Sequence, residues 1–151
     1  MTYIDDIDKK IINRIQNSFP IDSRPYKIIG LELNLSEKQI ISRIKNLKKN
    51  GIIRRIGANF VPKKLGFYST LCAAKVSNEK IDKFVKIVNS YSGVTHNYMR
   101  EHKYNIWFTF IASSPDEIKK NLKEISEKTG VANILNLPAT DIFKISAQFK
   151  V

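Results

Sequence analysis

The chain has little of what most often signals chemistry. Among 151 residues there are one cysteine, one tryptophan and two histidines. A single cysteine excludes an internal disulfide framework and fits a reducing compartment. It lies in the apolar run Leu71-Cys-Ala-Ala74, where a buried structural thiol is expected rather than a nucleophile. No apolar run approaches the length needed to span a bilayer, and the N-terminus lacks the apolar core of a secretory signal. The expectation is a cytoplasmic protein with no membrane partner. There is no glycine-rich phosphate loop and no serine-nucleophile elbow. The histidines have no cysteine partner and no zinc-like spacing, which argues against a metal site made of protein ligands alone.

Acidic residues are also scarce. Fourteen Asp and Glu stand against 26 Lys and Arg, a formal charge of +12. The excess is spread along the chain: 12 basic and 6 acidic residues up to residue 60, 14 and 8 beyond it. Such a balance points to a polyanionic partner: nucleic acid, acidic lipid, or a small molecule with many carboxylates or phosphates. The plainer alternative is a lysine-rich surface that serves only solvation. Hydrophobic and charged contents of 42% and 26% are those of an ordinary folded protein.

Residues 1–60 read as three short helices and a wing. Ile4, Ile7, Ile11, Ile12 and Ile15 recur at helical spacing, and Asp5, Asp6 and Asp8 place negative charge where the helix dipole favours it. A second helix opens at Arg24-Pro25. The third carries the clearest start signal, with Ser36 as N-cap, Gln39 as its capping-box partner and Leu35 with Ile40 as a hydrophobic staple. Gly51 stops it. Ile52-Ile-Arg-Arg-Ile56 then reads as a strand, completing the outline of a winged helix-turn-helix. Between Ser42 and Phe60 there are six basic residues and no acidic one. That suits phosphate contacts, and it equally suits a solvated face on an inherited scaffold.

Residues 61–151 change period. Strands are expected over 67–76, 94–101, 104–112 and 131–137, with a last alternating strand through Phe143, Ile145, Ala147 and Phe149. Helices are expected from Ser77 and from Ser114-Pro115-Asp116-Glu117. Strand, helix, strand, strand, helix, strand is the ferredoxin-like order, an antiparallel sheet with both helices on one face. The fold class is therefore α+β, a winged helix-turn-helix followed by a ferredoxin-like (βαββαβ) domain. The uncovered sheet face calls for a second subunit, with a ligand shared in the cleft.

Both histidines and the tryptophan fall in one hairpin, Gly93-Val-Thr-His-Asn-Tyr-Met-Arg-Glu-His-Lys-Tyr-Asn-Ile-Trp107. With the turn centred on His102-Lys103, His96, Tyr98 and Arg100 share a face with Asn105, Trp107 and Thr109. Met99, Ile106, Phe108 and Phe110 take the other. His-Lys lacks the usual glycine or asparagine turn signal, so the register hangs on this choice. Imidazole, phenol, guanidinium and indole on one face suit a large, flat, anionic ligand, with arginine pairing to carboxylates and the aromatics walling a planar body. Histidine can move protons near neutral pH or ligate haem-type iron.

The layout resembles the Lrp/AsnC regulators. More specifically, Phe19-Pro-Ile-Asp-Ser-Arg-Pro-Tyr26, Gly51-Ile-Ile-Arg-Arg-Ile-Gly-Ala-Asn-Phe60, Lys64-Leu-Gly-Phe-Tyr-Ser-Thr-Leu71 and the hairpin run resemble the siroheme decarboxylase family over nearly the whole chain. That resemblance implies removal of carbon dioxide from two acetate side chains of siroheme, giving didecarboxysiroheme on the routes to heme or heme d1. It also implies a homodimer or a heterodimer with a related subunit, and no cofactor beyond siroheme and its iron. On this reading His96 or His102 delivers a proton, with axial contact to the siroheme iron as the competing role for either. Arg100 would hold a carboxylate, Tyr98 and Trp107 would wall the ring, and Asn105, Arg54 and Arg55 would add substrate contacts. Two alternatives stay open: a DNA-binding regulator that senses a small molecule or heme, and a non-catalytic subunit completing its relative's site.

Overall fold

The structure, a computed structural model, describes residues 4–144, 149 and 151. These fall into two units, one within Met1–Ala58 and Lys144–Val151, the other Asn59–Phe143.

The first unit is three helices, α1 (Asp6–Asn17), α2 (Pro25–Leu33) and α3 (Glu37–Lys49). Each begins at a chemical signal in the sequence. The Asp5 carboxylate accepts from the Asp8 N–H at 2.7 Å, Pro25 opens α2, and Ser36 with Gln39 closes a complete capping box on α3. The α2–α3 turn passes through Asn34 in the left-handed region (φ 56°). It packs so closely that a Cβ on Gly30 would lie 2.5 Å from the Leu35 carbonyl, and only glycine fits there. Ile11, Ile29, Ile40 and Ile44 form the core.

The wing differs from the sequence reading. Residues 52–56 form no strand. The Ile52 and Ile53 N–H groups both donate to the Leu47 carbonyl, at 3.0 and 3.2 Å, while Ile53 and Ile56 pack on the helical core. A strand needs a backbone partner; this segment is tied instead to the end of α3 by its amides and to the core by its isoleucines.

The second unit is β1 (Tyr68–Ala74), α4 (Ile81–Asn89), β2 (Val94–Met99), β3 (Ile106–Ala112), α5 (Pro115–Thr129) and β4 (Ile134–Pro138). The strands form one antiparallel sheet in the order β2-β3-β1-β4, the ferredoxin-like arrangement. Phe84 and Val88 from α4 and Ile118, Leu122 and Ile125 from α5 cover Cys72, Ile106, Phe108 and Phe110 on one face. Burial pushes the Cys72 thiol up to about 12, so it stays a packed, unreactive group. The Ser114 hydroxyl caps α5, but the Glu117 carboxylate accepts from the N–H of Ser113, one residue before the cap.

The closing strand expected through Phe143–Phe149 falls largely outside the described residues. Those described near it meet α1: Gln16 exchanges two hydrogen bonds with the Phe149 backbone (2.9 and 3.0 Å), and the Asn13 side chain donates to the Val151 carbonyl at 2.9 Å. Lys144, Phe149 and Val151, of the stretch read from the sequence as part of the second domain, group with the first unit. Two amide side chains on α1 supply the donors and acceptors that a neighbouring strand would otherwise give.

Candidate active site

The hairpin register is the one its alternation predicts. His96 faces Thr109, Tyr98 faces Trp107, Met99 faces Ile106, and the Arg100 N–H donates to the Asn105 carbonyl at 2.8 Å. The uncovered face is therefore built in rows. One runs Leu137, Leu71, Thr109, His96, and the next Leu135, Ala73, Trp107, Tyr98. The β2–β3 half is polar and aromatic. The β1–β4 half is aliphatic, with Leu71 and Leu137 about 40% exposed. Met99, expected among the core residues, is exposed at the end of the edge strand β2.

One residue of the site is invisible to alternation. A register shift between Val94 and His96 inserts Thr95 as an extra residue in β2. This bulge lets Val94 pack on the core while Thr95 and His96 both meet Thr109. Gly93 just before it lies so close to β3 that a Cβ there would sit 2.1 Å from the Ile111 carbonyl. The Thr95 Oγ1 lies 2.6 Å from Thr109 Oγ1 and 3.0 Å from His96 Nδ1, and Thr109 Oγ1 lies 3.4 Å from the same nitrogen. Tyr98 stacks on the His96 ring at 6.0 Å and 29°.

Trp107 organises the other half. Its indole N–H donates to the Tyr104 carbonyl at 2.7 Å, and the Arg100 guanidinium lies 5.8 Å from its ring centroid, a cation–π distance. His102 is 6.2 Å from Trp107 and 6.3 Å from Tyr104, and its Nδ1 accepts the Tyr104 backbone N–H at 3.1 Å. A main-chain N–H can only donate, so His102 carries its hydrogen on Nε2.

His96, Tyr98, Arg100, His102 and Trp107 are thus gathered on one hairpin. Asn105 is with them, but its amide is committed elsewhere: it accepts from the Val76 N–H at 2.9 Å and donates to the Val76 carbonyl at 2.8 Å. It clamps the hairpin to the end of β1. Arg54 and Arg55 belong to the first unit, both exposed. Of the chain's six arginines, Arg14, Arg24 and Arg43 pair with Glu32, Glu37, and Asp5 with Asp8. Among the described residues Arg54, Arg55 and Arg100 make no ion pair, which leaves three guanidinium groups to meet an anion. Among the same residues no cluster of His, Cys, Asp or Glu is placed to hold a metal ion, and no helix is long and apolar enough to cross a membrane.

Thr95, Thr109 and the exposed leucines were not singled out as site residues from the sequence. Thr109 could have been, since the register placed it opposite His96; the bulge that turns Thr95 outward leaves no trace in the alternation.

The chain matches known proteins over nearly its whole length. Residues 8–54 match the siroheme decarboxylase NirDL-like HTH domain, and residues 64–144 the AsnC-like ligand binding domain. The siroheme decarboxylase alpha subunit of Oleidesulfovibrio alaskensis is 53% identical over 148 residues, covering 98% of this chain and 90% of that protein. The crystal structure of the siroheme decarboxylase NirDL in co-complex with an iron-uroporphyrin III analogue is 27% identical, with a TM-score of 0.66 over 94% of this chain and 48% of that one. E. coli AsnC shares the fold alone, with a TM-score of 0.79 at 20% identity over 99% of this chain and all of that one. The chain, with its AsnC-like sheet and its histidine-bearing hairpin, belongs to the siroheme decarboxylase family.

Proposed function

We propose that this chain is a siroheme decarboxylase subunit of the alpha type, removing carbon dioxide from two acetate side chains of siroheme in a dimer with a related subunit or a second copy. The observation that carries this reading is the uncovered sheet face. It presents two imidazoles, an arginine with no ion pair and a tryptophan–tyrosine wall within one hairpin. The aliphatic half of the same face, Leu71, Leu135 and Leu137, gives a partner subunit something to cover.

The chemistry follows from the charges. Siroheme is a flat ring with eight carboxylates, so the basic chain and its unpaired arginines suit it. When the bond to a carboxylate breaks, carbon dioxide leaves and the electron pair stays on the carbon. The conjugated macrocycle spreads that charge, and one proton then forms the methyl group. An imidazole on the hairpin supplies the proton, a contribution of about two to four orders of magnitude in rate. Arg100 holds a carboxylate that remains, because a tight pair with the departing one would stabilise the ground state and oppose its loss. Tyr98 and Trp107 wall the ring. Asn105 acts by holding the hairpin.

The test is anaerobic incubation of the purified chain, alone and with its related subunit, with siroheme, following tetrapyrrole mass. Successive loss of two carbon dioxide units, abolished by His96→Ala or His102→Ala in a folded protein, is expected. Tight binding without mass loss both alone and with the related subunit would overturn the catalytic reading.

A second reading rests on α3. Gln39, Ser42, Arg43, Lys45, Asn46 and Lys49 line an open groove, which suits a phosphate backbone. Arg43, the one arginine on that helix, lines the groove while paired with Asp5 and Asp8, each at 2.8 Å, which engages the side chain best suited to reading guanine. Salt-dependent retardation of a defined DNA duplex would favour a regulator; its absence removes that reading.

A further inference from the structure

Resting on the decarboxylase reading, we propose that Thr95 and Thr109 are positioning residues. They hold His96 with its hydrogen on Nε2, directed to the open face, and so make His96, not His102, the proton-delivering imidazole and no ligand to the iron. The argument is a count of hydrogens. Three atoms, Thr95 Oγ1, Thr109 Oγ1 and His96 Nδ1, form a triangle with edges of 2.6, 3.0 and 3.4 Å. Two hydroxyls bring two hydrogens. If Nδ1 is an acceptor, Thr109 donates to Thr95, Thr95 donates to Nδ1, and both hydrogens are used. If Nδ1 carries a hydrogen, one hydroxyl hydrogen has no acceptor in the triangle. The first pattern is the one closed within the triangle, whereas the second must send a hydroxyl hydrogen out to the open face, and the first leaves the ring hydrogen on Nε2. A ligand to iron needs a lone pair at that position.

The same hydroxyls separate the two histidines. Nδ1 of His102 faces the Tyr104 backbone N–H, a donor that cannot turn to accept. Hydroxyls can reverse. When His96 gains a proton at Nδ1, it donates to Thr95, Thr95 turns to donate to Thr109, and Thr109 turns its own O–H to the open face. The imidazolium then gives its Nε2 proton to the carbanion left by carbon dioxide, forming the new C–H bond. Neutral imidazole remains, with its hydrogen on Nδ1; it takes a proton at Nε2 from solvent and gives up the Nδ1 proton to solvent as the hydroxyls turn back, which restores the starting tautomer. The Tyr98 stack at 6.0 Å keeps the ring plane through both states.

The test reads the tautomer directly. The full chain is prepared with isotope-labelled histidine, and ring nitrogen shifts are recorded at about pH 8.5, where an ordinary imidazole is neutral. Two histidines give two signal sets, and His102→Gln assigns them. The expected result is an Nε2–H tautomer for His96, lost to a mixture in Thr95→Val, partly lost in Thr109→Val and restored in Thr95→Ser. Decarboxylation by the same variants, with the related subunit present, should fall roughly ten- to a hundredfold in Thr95→Val at unchanged siroheme affinity, and recover in Thr95→Ser. A hydrogen on Nδ1 in the unaltered protein, or the same nitrogen shifts in both valine variants, overturns the proposal. Should His96→Ala decarboxylate normally while the tautomer follows the threonines, the catalytic role of His96 falls and the tautomer assignment stands. Should His96→Ala be inactive while the tautomer ignores the threonines, the function stands and the positioning role falls.

Discussion

Alternate residues of β3 go to opposite faces of the sheet and answer to different requirements. Ile106, Phe108 and Phe110 point toward α4 and α5, each 1% exposed. Trp107, Thr109 and Ile111, their immediate neighbours, point the other way and are half-buried. The inward set is apolar, and shape and volume are all that is asked of it. The outward set is bound in specific pairs: Thr109 with Thr95, Trp107 with Tyr104 and Arg100. Stability should therefore be concentrated on one face and chemistry on the other, separated by the thickness of a strand.

Substitutions can break that separation if it is wrong. The largest effect is expected on the inner face: Phe108→Ala should cost about 3–5 kcal/mol of stability, read as a lowered midpoint in urea, with ligand binding lost only as the fold is lost. Arg100→Ala should do the reverse. Siroheme affinity, followed by the tetrapyrrole absorbance, should weaken roughly ten- to a hundredfold at an unchanged melting temperature, the effect of removing a hydrogen bond to a charged group. Arg100→Lys should recover only part of it, since the charge returns without the planar fork. Asn105→Ala is the sharper case, because sequence placed it among the ligand-binding residues and its amide is tied to the Val76 backbone. Loss of those two bonds should cost about 1–2 kcal/mol of stability and leave affinity unchanged; an affinity loss without a stability loss would return Asn105 to the ligand.

What could be read from the sequence follows from how local its cause is. Ser36 with Gln39 and Pro25 act within one turn of chain, and those helix starts are where the residues say. The hairpin register was legible because a period of two leaves few ways to put Ile106, Phe108 and Phe110 inside together. Non-local causes were hidden. The bulge at Thr95 depends on how Gly93 approaches the Ile111 carbonyl, and nothing near Thr95 encodes that distance. The wing reads as a strand through the isoleucines of Ile52-Ile-Arg-Arg-Ile56, yet β structure needs a partner backbone, and Leu47 takes the amides first. Asn105 is expected from the sequence to meet a ligand, while its amide meets the Val76 backbone, because a side-chain amide that matches a ligand matches a peptide group equally well.

The smallest expected effect tests whether the first unit's charges belong to structure. The Asp5 carboxyl is held below its ordinary value of 3.8, first by the Asp8 backbone N–H and then by Arg43. A carboxyl whose folded value is depressed stabilises the fold above its unfolded value, and that contribution fades as pH falls through the folded one. Asp5→Asn keeps a side-chain oxygen for the helix cap but removes the charge that meets Arg43. The melting temperature of Asp5→Asn should therefore lie slightly below that of the unaltered chain at pH 7, and the gap should close toward the acid end of the carboxylate range. Added salt should shrink the gap at pH 7 as well, since the pair is only half-buried and so partly screened. A gap that persists at low pH would mean that asparagine caps α1 poorly and that the Arg43 pair contributes little. Arg43 would then be available to a ligand of α3, and the case against a nucleic-acid role for the first unit would lose its main support.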